Sequence, residues 1–342
     1  VGVTIIDVAR EAGTSKSTVS NVLHGDPHVA RATRARVLDA VERLGYRPNR
    51  AAQNLVRGTT HAIGIVVSDL LNPFYPRLIH AIDESAKAMG FTTVLVEAQF
   101  DIPDRIAEAE RLLSGLVDGI LFAATWGDPD SVTRLQARGV NFAVVTSRPR
   151  GADVDYVVVD DRSGARTAVE HLLDLGHRRI AHIMGAEPDS SMDDRLAGYV
   201  AALDAAGVCR DPRLVAQATR RADLTVDCAG AVEQLLAVEP APTAIFCAND
   251  AIALQVLALV ERHGRSVPGD VSVVGFDDAP MAGHPRIGLT TIAQPVEEIA
   301  RQATGWVIDR GTRRLLTPTL RVVLPAPLIA RATTSPLRGD GS

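Results

Sequence analysis

The 342-residue chain has only three cysteines, Cys209, Cys228 and Cys247, an odd number and widely spaced. That excludes a disulfide framework and a cysteine zinc site, so the thiols read as reduced in a cytosolic protein. No run approaches the roughly 18 apolar residues of a membrane span. The N-terminus opens on a helix cap and an amphipathic helix, not on the blocks of a signal peptide. Cytoplasmic localisation is therefore the expectation. No G-x-G-x-x-G follows a strand, and no P-loop, G-x-S-x-G or H-E-x-x-H occurs. The nine histidines do not pair at metal-ligand spacing, and His171, His177 and His182 read as helix-capping or solvent-facing. With no catalytic constellation, neither enzyme activity, cofactor nor metal is expected.

At 46% hydrophobic residues the chain can fill a full interior, and its length suits a small head plus a large core. The net charge of −5 is unevenly placed. Residues 1–61 hold nine Lys/Arg against five Asp/Glu, a net +4, which leaves −9 for the remainder. A basic head on an acidic body fits a protein that meets phosphate with one end only.

In the head, Thr4 before Ile5-Ile6-Asp7 is a capping-box-like start. Val8, Ala9 and Ala12 form one apolar face, and Gly13 ends the helix in a left-handed turn. Ser15 is a good N-cap for a second helix. There Val19, Val22 and Leu23 fall on one side and Lys16, Ser17, Ser20 and Asn21 on the other. The polar side suits groove entry, since Lys reaches guanine and Asn pairs with adenine. A third helix, about Thr33–Leu44, places Val37, Val41 and Leu44 in register before Gly45. Residues 46–58 are a basic stretch, either a marginal helix of about two turns or a solvated linker.

The stretches Asp7-Val-Ala-Arg-Glu-Ala-Gly, Ser17-Thr-Val-Ser-Asn-Val-Leu-His-Gly and Leu44-Gly-Tyr-Arg-Pro-Asn resemble the signature of the lactose/galactose-repressor (LacI/GalR) family. The resemblance implies a helix-turn-helix DNA-binding head over 1–47, with Lys16, Ser17 and Asn21 facing base edges. Thr4, Ser15, Thr18, Ser20, His28 and Tyr46 join them in the implied DNA-binding set. It also implies a hinge helix within 48–61 that folds on operator DNA through Asn49, Arg50, Ala52, Gln53 and Leu55. Leu55 would be the apolar wedge pushed between central base steps in the minor groove. One departure is Ala30, where relatives usually carry a serine cap before the third helix.

From residue 62 the pattern becomes alternating apolar strands and helices in two series, the signature of parallel sheets in α/β layers. About ten strands suggest two similar lobes, and the late return over Leu289–Ile329 suggests shared crossovers. The resemblance implies a periplasmic-binding-protein-like core over 62–332. Its N-lobe would span about 62–160 and 293–319, its C-lobe about 161–292 and 320–332, with 333–342 a tail. The fold class expected is thus an all-α helix-turn-helix head plus an α/β core of two parallel-sheet lobes.

Ligands of α/β sheets gather at the carboxyl ends of strands. Ser68-Asp69, Asn72–Tyr75, Ala124-Thr125-Trp126, Thr146–Arg148, Asn249-Asp250 and Asp277-Asp278 lie there. Singly each would serve as a cap or turn, and Asp250 reads as one. Together with Arg195, which opens Arg195-Leu-Ala-Gly-Tyr, they make a sugar pocket. The resemblance implies that Arg195, Asn249 and Asp277 grip an effector, with Phe74 an aromatic contact; Trp126, from its strand end, and Gln294, from its place near the crossover, are expected as further lining. Thr146 and Leu224 stand where some relatives have an aspartate and an aromatic. The expected function is a homodimeric, sequence-specific repressor that binds pseudo-palindromic double-stranded operator DNA under control of a small-molecule effector, a sugar or sugar derivative. The rivals are a nucleoside or purine effector and a non-regulatory sugar-binding protein.

Overall fold

The computed structural model describes residues 3–23, 25–46, 59–98, 105–123, 130–148, 151, 153–313 and 321–337. The expected hinge residues Asn49, Arg50, Ala52, Gln53 and Leu55, and Trp126, lie outside the described residues. The chain divides into two compact units, Val1–Thr60 and His61–Ser342.

The first unit holds α1 (Ile5–Glu11), α2 (Lys16–Leu23) and α3 (Arg31–Leu44). Thr4 caps α1 in a reciprocal box with Asp7: its backbone N–H donates to the Asp7 carboxylate at 2.9 Å while its hydroxyl accepts from the Asp7 N–H. Ser15 caps α2, its Oγ accepting from the Thr18 N–H at 3.1 Å. Val8, Ala9, Ala12, Val19, Val22, Val37 and Ala40 form the small core, with Leu23, Val41, Leu44 and Tyr46 packed around it. Gly45 ends α3 with φ +62°, a conformation glycine adopts without Cβ strain. Helix α3 starts two residues earlier than the spacing predicts, and Ala30 supplies no side-chain cap. Ala30 has φ −54° and ψ 139°, extended geometry that a serine adopts equally well. Ala30→Ser is therefore expected to stabilise the head by about 1 kcal/mol. Amide hydrogen exchange in α3 of the full chain should slow, and unchanged exchange would show that those amides are already satisfied.

In the second unit the helices are α4 (Phe74–Ala88), α5 (Arg105–Leu113), α6 (Asp130–Ala137), α7 (Asp161–Asp174), α8 (Ser190–Ala205), α9 (Ala229–Leu236), α10 (Asp250–Arg262) and α11 (Val296–Arg313). The first sheet joins β1 (Ala62–Val67), β2 (Thr92–Glu97), β3 (Gly119–Ala123), β4 (Phe142–Val145), β5 (Tyr156–Val159) and β13 (Arg321–Leu324). Its order is β13-β5-β4-β3-β1-β2, parallel throughout. The second sheet joins β6 (Ile180–Met184), β7 (Val215–Gln217), β10 (Ala244–Cys247), β11 (Ser272–Asp277), β12 (Thr290–Ala293) and β14 (Leu328–Ile329). Its order is β14-β12-β11-β10-β6-β7, with β14 alone antiparallel. A separate short antiparallel ribbon pairs β8 (Thr219–Arg220) with β9 (Val226–Asp227).

Strand periodicity decides which helices cover each face. Ile63, Ile65 and Val67 of β1 face Leu78 and Ile82 of α4 and Ile299 and Ala303 of α11, while Val66 faces Ile106 of α5 and Val132 of α6. Likewise Phe246 of β10 faces α7 and α8, and Ile245 and Cys247 face α9 and α10. Burial on both faces is why β1 reads as an unbroken apolar run. Among the described residues no helix is long and apolar enough to cross a membrane.

Two boundaries differ from expectation. Residues Arg321–Leu324 pair with β5 in the first sheet, so the last crossover falls after 324 and not at 319/320. Residues 333–337 are part of the second lobe and not of a tail: Thr333 is buried, its carbonyl accepts from the Val273 N–H, and Leu337 bonds to Leu175. Sequence periodicity registers a strand but not its neighbour, and the short apolar run Val322-Val323-Leu324 suits either sheet.

Candidate functional site

A cleft of about 280 Å³ lies where the carboxyl ends of strands from both sheets converge. Ser68 follows β1, Thr146 follows β4, Asn249 follows β10, Asp277 ends β11 and Gln294 follows β12, and all five line it. Phe74 and Arg195 line it as well.

Arg195 is the best-held charge of the site. It does not stand at the start of a helix. Helix α8 begins earlier, at Ser190, because the Asp189 carboxylate accepts from the Ser191 and Met192 N–H groups. Arg195 therefore projects from mid-helix and is only 4% exposed. Its Nε donates to Asp161 Oδ1 at 2.8 Å, and a terminal nitrogen donates to the Ala248 carbonyl. The guanidinium lies 3.6 Å from the Phe276 ring centroid, a cation–π contact, and 3.9 Å from Asp277 Oδ1.

Asp277 is buried and accepts from Gln294 Nε2 at 2.7 Å. That bond fixes the amide orientation and leaves the buried Gln294 Oε1 without a hydrogen-bond partner. Asp277 (φ 123°) and Thr146 (φ 77°) both hold positive φ, backbone strain of a kind that clusters at ligand sites. Asn249 divides its side chain: Oδ1 caps α10 through the Ile252 N–H at 2.9 Å. Tyr75 Oη and Ser68 Oγ lie 3.2 Å apart at the first-lobe wall.

Burial pushes the Asp161 carboxyl up to about 7 despite the arginine beside it. Burial also raises Asp277, with Arg195 opposing.

Several sequence readings need correction. Asp250 is not the cap of α10; Asn249 is. Asp250 is completely buried, accepting from the Ala279 N–H at 2.7 Å and the Thr291 hydroxyl at 2.6 Å. His177 and His182 are buried, neither caps nor solvent-facing. His177 bridges Thr243, Ser272 and the Ser335 carbonyl, and His182 stacks between Tyr199 and Phe246. A lone polar residue in an apolar strand looks like an interruption until its tertiary partners are seen. Leu224 does not line the main cleft; it borders an adjoining recess. Trp126 lies outside the described residues.

The sequence reading also missed Arg220, Glu187 and Asp189 in the lining. Arg220 stands on the short β8-β9 ribbon, whose strands are too brief for a periodic signal. It donates to both Glu187 oxygens and, across the cleft, to Asp69 Oδ2 at 3.2 Å.

Asp250 permits a test by pH. Burial, then the neighbouring Asp277 charge, raises its folded pKa above the ordinary 3.8. Folding thus retains a proton that the unfolded chain releases above about pH 4. The resulting stability is complete below the unfolded value and is lost as pH rises through the folded one. An asparagine in its place would preserve both bonds, the side-chain oxygen accepting from Ala279 and the amide donating to the Thr291 hydroxyl. Asp250→Asn is expected to raise the melting temperature more at pH 8 than at pH 5. An equal shift at both would place the ionised form in the fold.

In the head, Lys16, Ser17 and Asn21 are exposed on α2, opposite the buried Val19 and Val22. Ser20 and Thr18 are half-buried on the same helix, and His28 is exposed in the turn after it. Thr4 and Ser15 spend their hydroxyls on capping, and Tyr46 packs on the head core.

Residues 4–49 match the profile of bacterial regulatory proteins of the lacI family, and 169–334 that of a periplasmic binding protein-like domain. The chain is 34% identical over 339 residues to the HTH-type transcriptional regulator DegA of Bacillus subtilis, covering 98% of each. It is 36% identical to the regulator CelR of Thermobifida fusca, covering 95% of this chain and 96% of CelR. Among solved structures, a CelR–cellobiose complex superposes with a TM-score of 0.72 at 33% identity, covering 97% of this chain and 99% of that one. The Lac repressor dimer bound to operator and the anti-inducer ONPF superposes at 0.85 with 28% identity, covering 98% and 100%. With head and core both matched along the full length of these regulators, the chain belongs to the lacI family of bacterial regulatory proteins and is a DNA-binding transcriptional regulator.

Proposed function

We propose that this regulator represses transcription as a homodimer on a pseudo-palindromic operator, and that a sugar or sugar derivative in the Arg195–Asp277 cleft sets its DNA affinity. Two-fold symmetry of the protein matches two half-sites. Lys16, Ser17 and Asn21 read base edges in the major groove, while Thr4, Ser15, Thr18, Ser20, His28 and Tyr46 position the head on the backbone. Asn49, Arg50, Ala52, Gln53 and Leu55 form the hinge, with Leu55 as the minor-groove wedge. Acting on chromosomal operators, the protein works in the cytoplasm. It has no catalytic role in this reading.

The observation that carries the effector half is the buried Arg195–Asp277–Gln294 arrangement facing the cleft, with Gln294 Oε1 left to accept a hydroxyl proton. Asn249, Thr146 and Phe74 complete the chamber. The CelR relative was solved with cellobiose, and a family member from Enterococcus faecium with ribose. Effector binding re-orients the lobes and biases hinge pairing, a coupling of about 1–3 kcal/mol.

Two measurements test this. Asn21→Ala should relax preference at one or two base pairs, each bidentate contact discriminating by about 1–3 kcal/mol; an unchanged operator-selection profile would reject its base-reading role. A thermal-shift screen of sugars and nucleosides should find a sugar that raises the melting temperature and alters operator affinity. A nucleoside as the sole stabilising ligand would favour the purine-type reading instead.

A further inference from the structure

We infer that the effector is an uncharged saccharide of at least two sugar units, with one unit beside Arg195 and Asp277 and the next in the recess beyond the Arg220–Asp69 bridge. This deepens the proposed function and rests on the cleft being the effector site.

Charge is the first argument. Among the described residues the cleft is lined by the arginines Arg195 and Arg220 and by the carboxylates Asp69, Glu187, Asp189 and Asp277. Both guanidiniums are already engaged. Arg195 holds Asp161 and the Ala248 carbonyl and covers Phe276. Arg220 forks onto Glu187 at 2.5 and 2.9 Å, reaches Asp69 at 3.2 Å and donates to the Leu224 carbonyl. A phosphate or carboxylate on the ligand would meet an excess of negative charge. It would have to strip a guanidinium from partners buried with it, leaving them unpaired. An uncharged polyol leaves Arg195 on its partners. Gln294 Oε1, buried and unpartnered, accepts from a hydroxyl.

Shape is the second argument. A recess of about 200 Å³ adjoins the cleft and shares Ser68, Asp69, Leu71 and Arg220 with it. Its outer wall adds Glu97, Asp223 and Leu224. Leu71 is 60% exposed and Leu224 40% exposed. Leu224 is held there in a left-handed conformation (φ 66°) with its carbonyl bonded to Arg220. Two exposed leucines beside the three carboxylates Asp69, Glu97 and Asp223 form an amphipathic wall. It suits a pyranose ring, whose C–H face is apolar and whose rim donates hydroxyls. The inner cleft, at about 280 Å³, falls just below the roughly 300–1,000 Å³ of pockets that enclose drug-sized ligands. The recess supplies the missing length.

The test is calorimetric titration and thermal shift on the full chain with cellobiose, maltose, lactose and xylobiose, their parent monosaccharides, glucose 6-phosphate and adenosine 5′-monophosphate. At least one disaccharide is expected to bind about tenfold or more tighter than its monosaccharides, with no binding of either phosphate ester. A phosphate ester binding best, or a monosaccharide binding as tightly as its disaccharide, would overturn the inference while leaving effector control standing. No binding by any saccharide would sink the effector reading and this inference with it. Leu224→Asp, at an exposed position that the fold tolerates, should shrink the disaccharide-to-monosaccharide preference by about tenfold. An unchanged preference would remove the recess from the site.

Discussion

Arg195→Met is expected to abolish the effector response and to destabilise the core by about 3–5 kcal/mol, the usual result of removing one partner from a buried ion pair. Asp161 would lose its 2.8 Å donor, and Asp277 its only nearby cation among the described ion pairs. Methionine fills similar volume, so the loss is electrostatic more than steric. The defect should depend on pH. Burial already pushes the Asp161 carboxyl up to about 7 with the arginine present. Without the arginine its folded pKa rises further, so the stability tied to the retained proton is lost as pH rises from the unfolded value near 4 through the raised one. The melting-temperature deficit should therefore be larger at pH 8 than at pH 5.5. The double variant Asp161→Asn with Arg195→Met should recover stability but not effector binding. An undiminished effector response in Arg195→Met would remove the residue from the site.

The second large effect is expected at Gly198, one turn after Arg195 on the same helix. Its φ is not in the left-handed region, so the glycine is there for closeness. A Cβ added at Gly198 would lie 2.2 Å from the Arg162 carbonyl oxygen and 2.9 Å from the Ala165 Cβ. Backbone of α7 cannot yield as a side chain end would, so Gly198→Ala must push α8 away from α7. Overpacking of this kind destabilises by about 3 kcal/mol. In a unit of this size that is a melting-temperature loss of roughly 6–12 °C. Because Asp161 opens α7 and Arg195 rides on α8, the same shift stretches their ion pair. Effector affinity should fall together with stability. A variant of normal stability would mean that the two helices separate freely.

Local chemistry made much of this molecule legible. The Thr4–Asp7 box, the Ser15 cap and the turns at Gly13 and Gly45 are short-range, and each stands where the residue types point. Buried parallel strands announce themselves as apolar runs, so the alternating strands and helices expected from residue 62 onward are found there. Arg195, Asn249, Asp277 and Gln294, all expected at the effector site, meet in one cleft although they stand far apart in the sequence. Residues at strand ends share an edge of a sheet by topology alone, which is why a strand-end reading collects them.

Where reading failed, the deciding partner was distant in sequence. Asp250 resembles a cap until Ala279 and Thr291 are found against it, and His177 resembles a surface residue until Ser335 closes over it. Arg220 has no signal of its own, since its meaning lies in Asp69, 151 residues away.

The sequence by itself determined the helical head with its exposed Lys16, Ser17 and Asn21, the alternating α/β core and the lacI-family signature, because capping, periodicity and motif spacing are local properties. Only the tertiary structure decided that β13 joins the first sheet, that Arg195 is shared between Asp161 and Asp277, and that Arg220 spans the cleft to Asp69. Those are choices among long-range partners, settled by which groups are buried together and must be paired there.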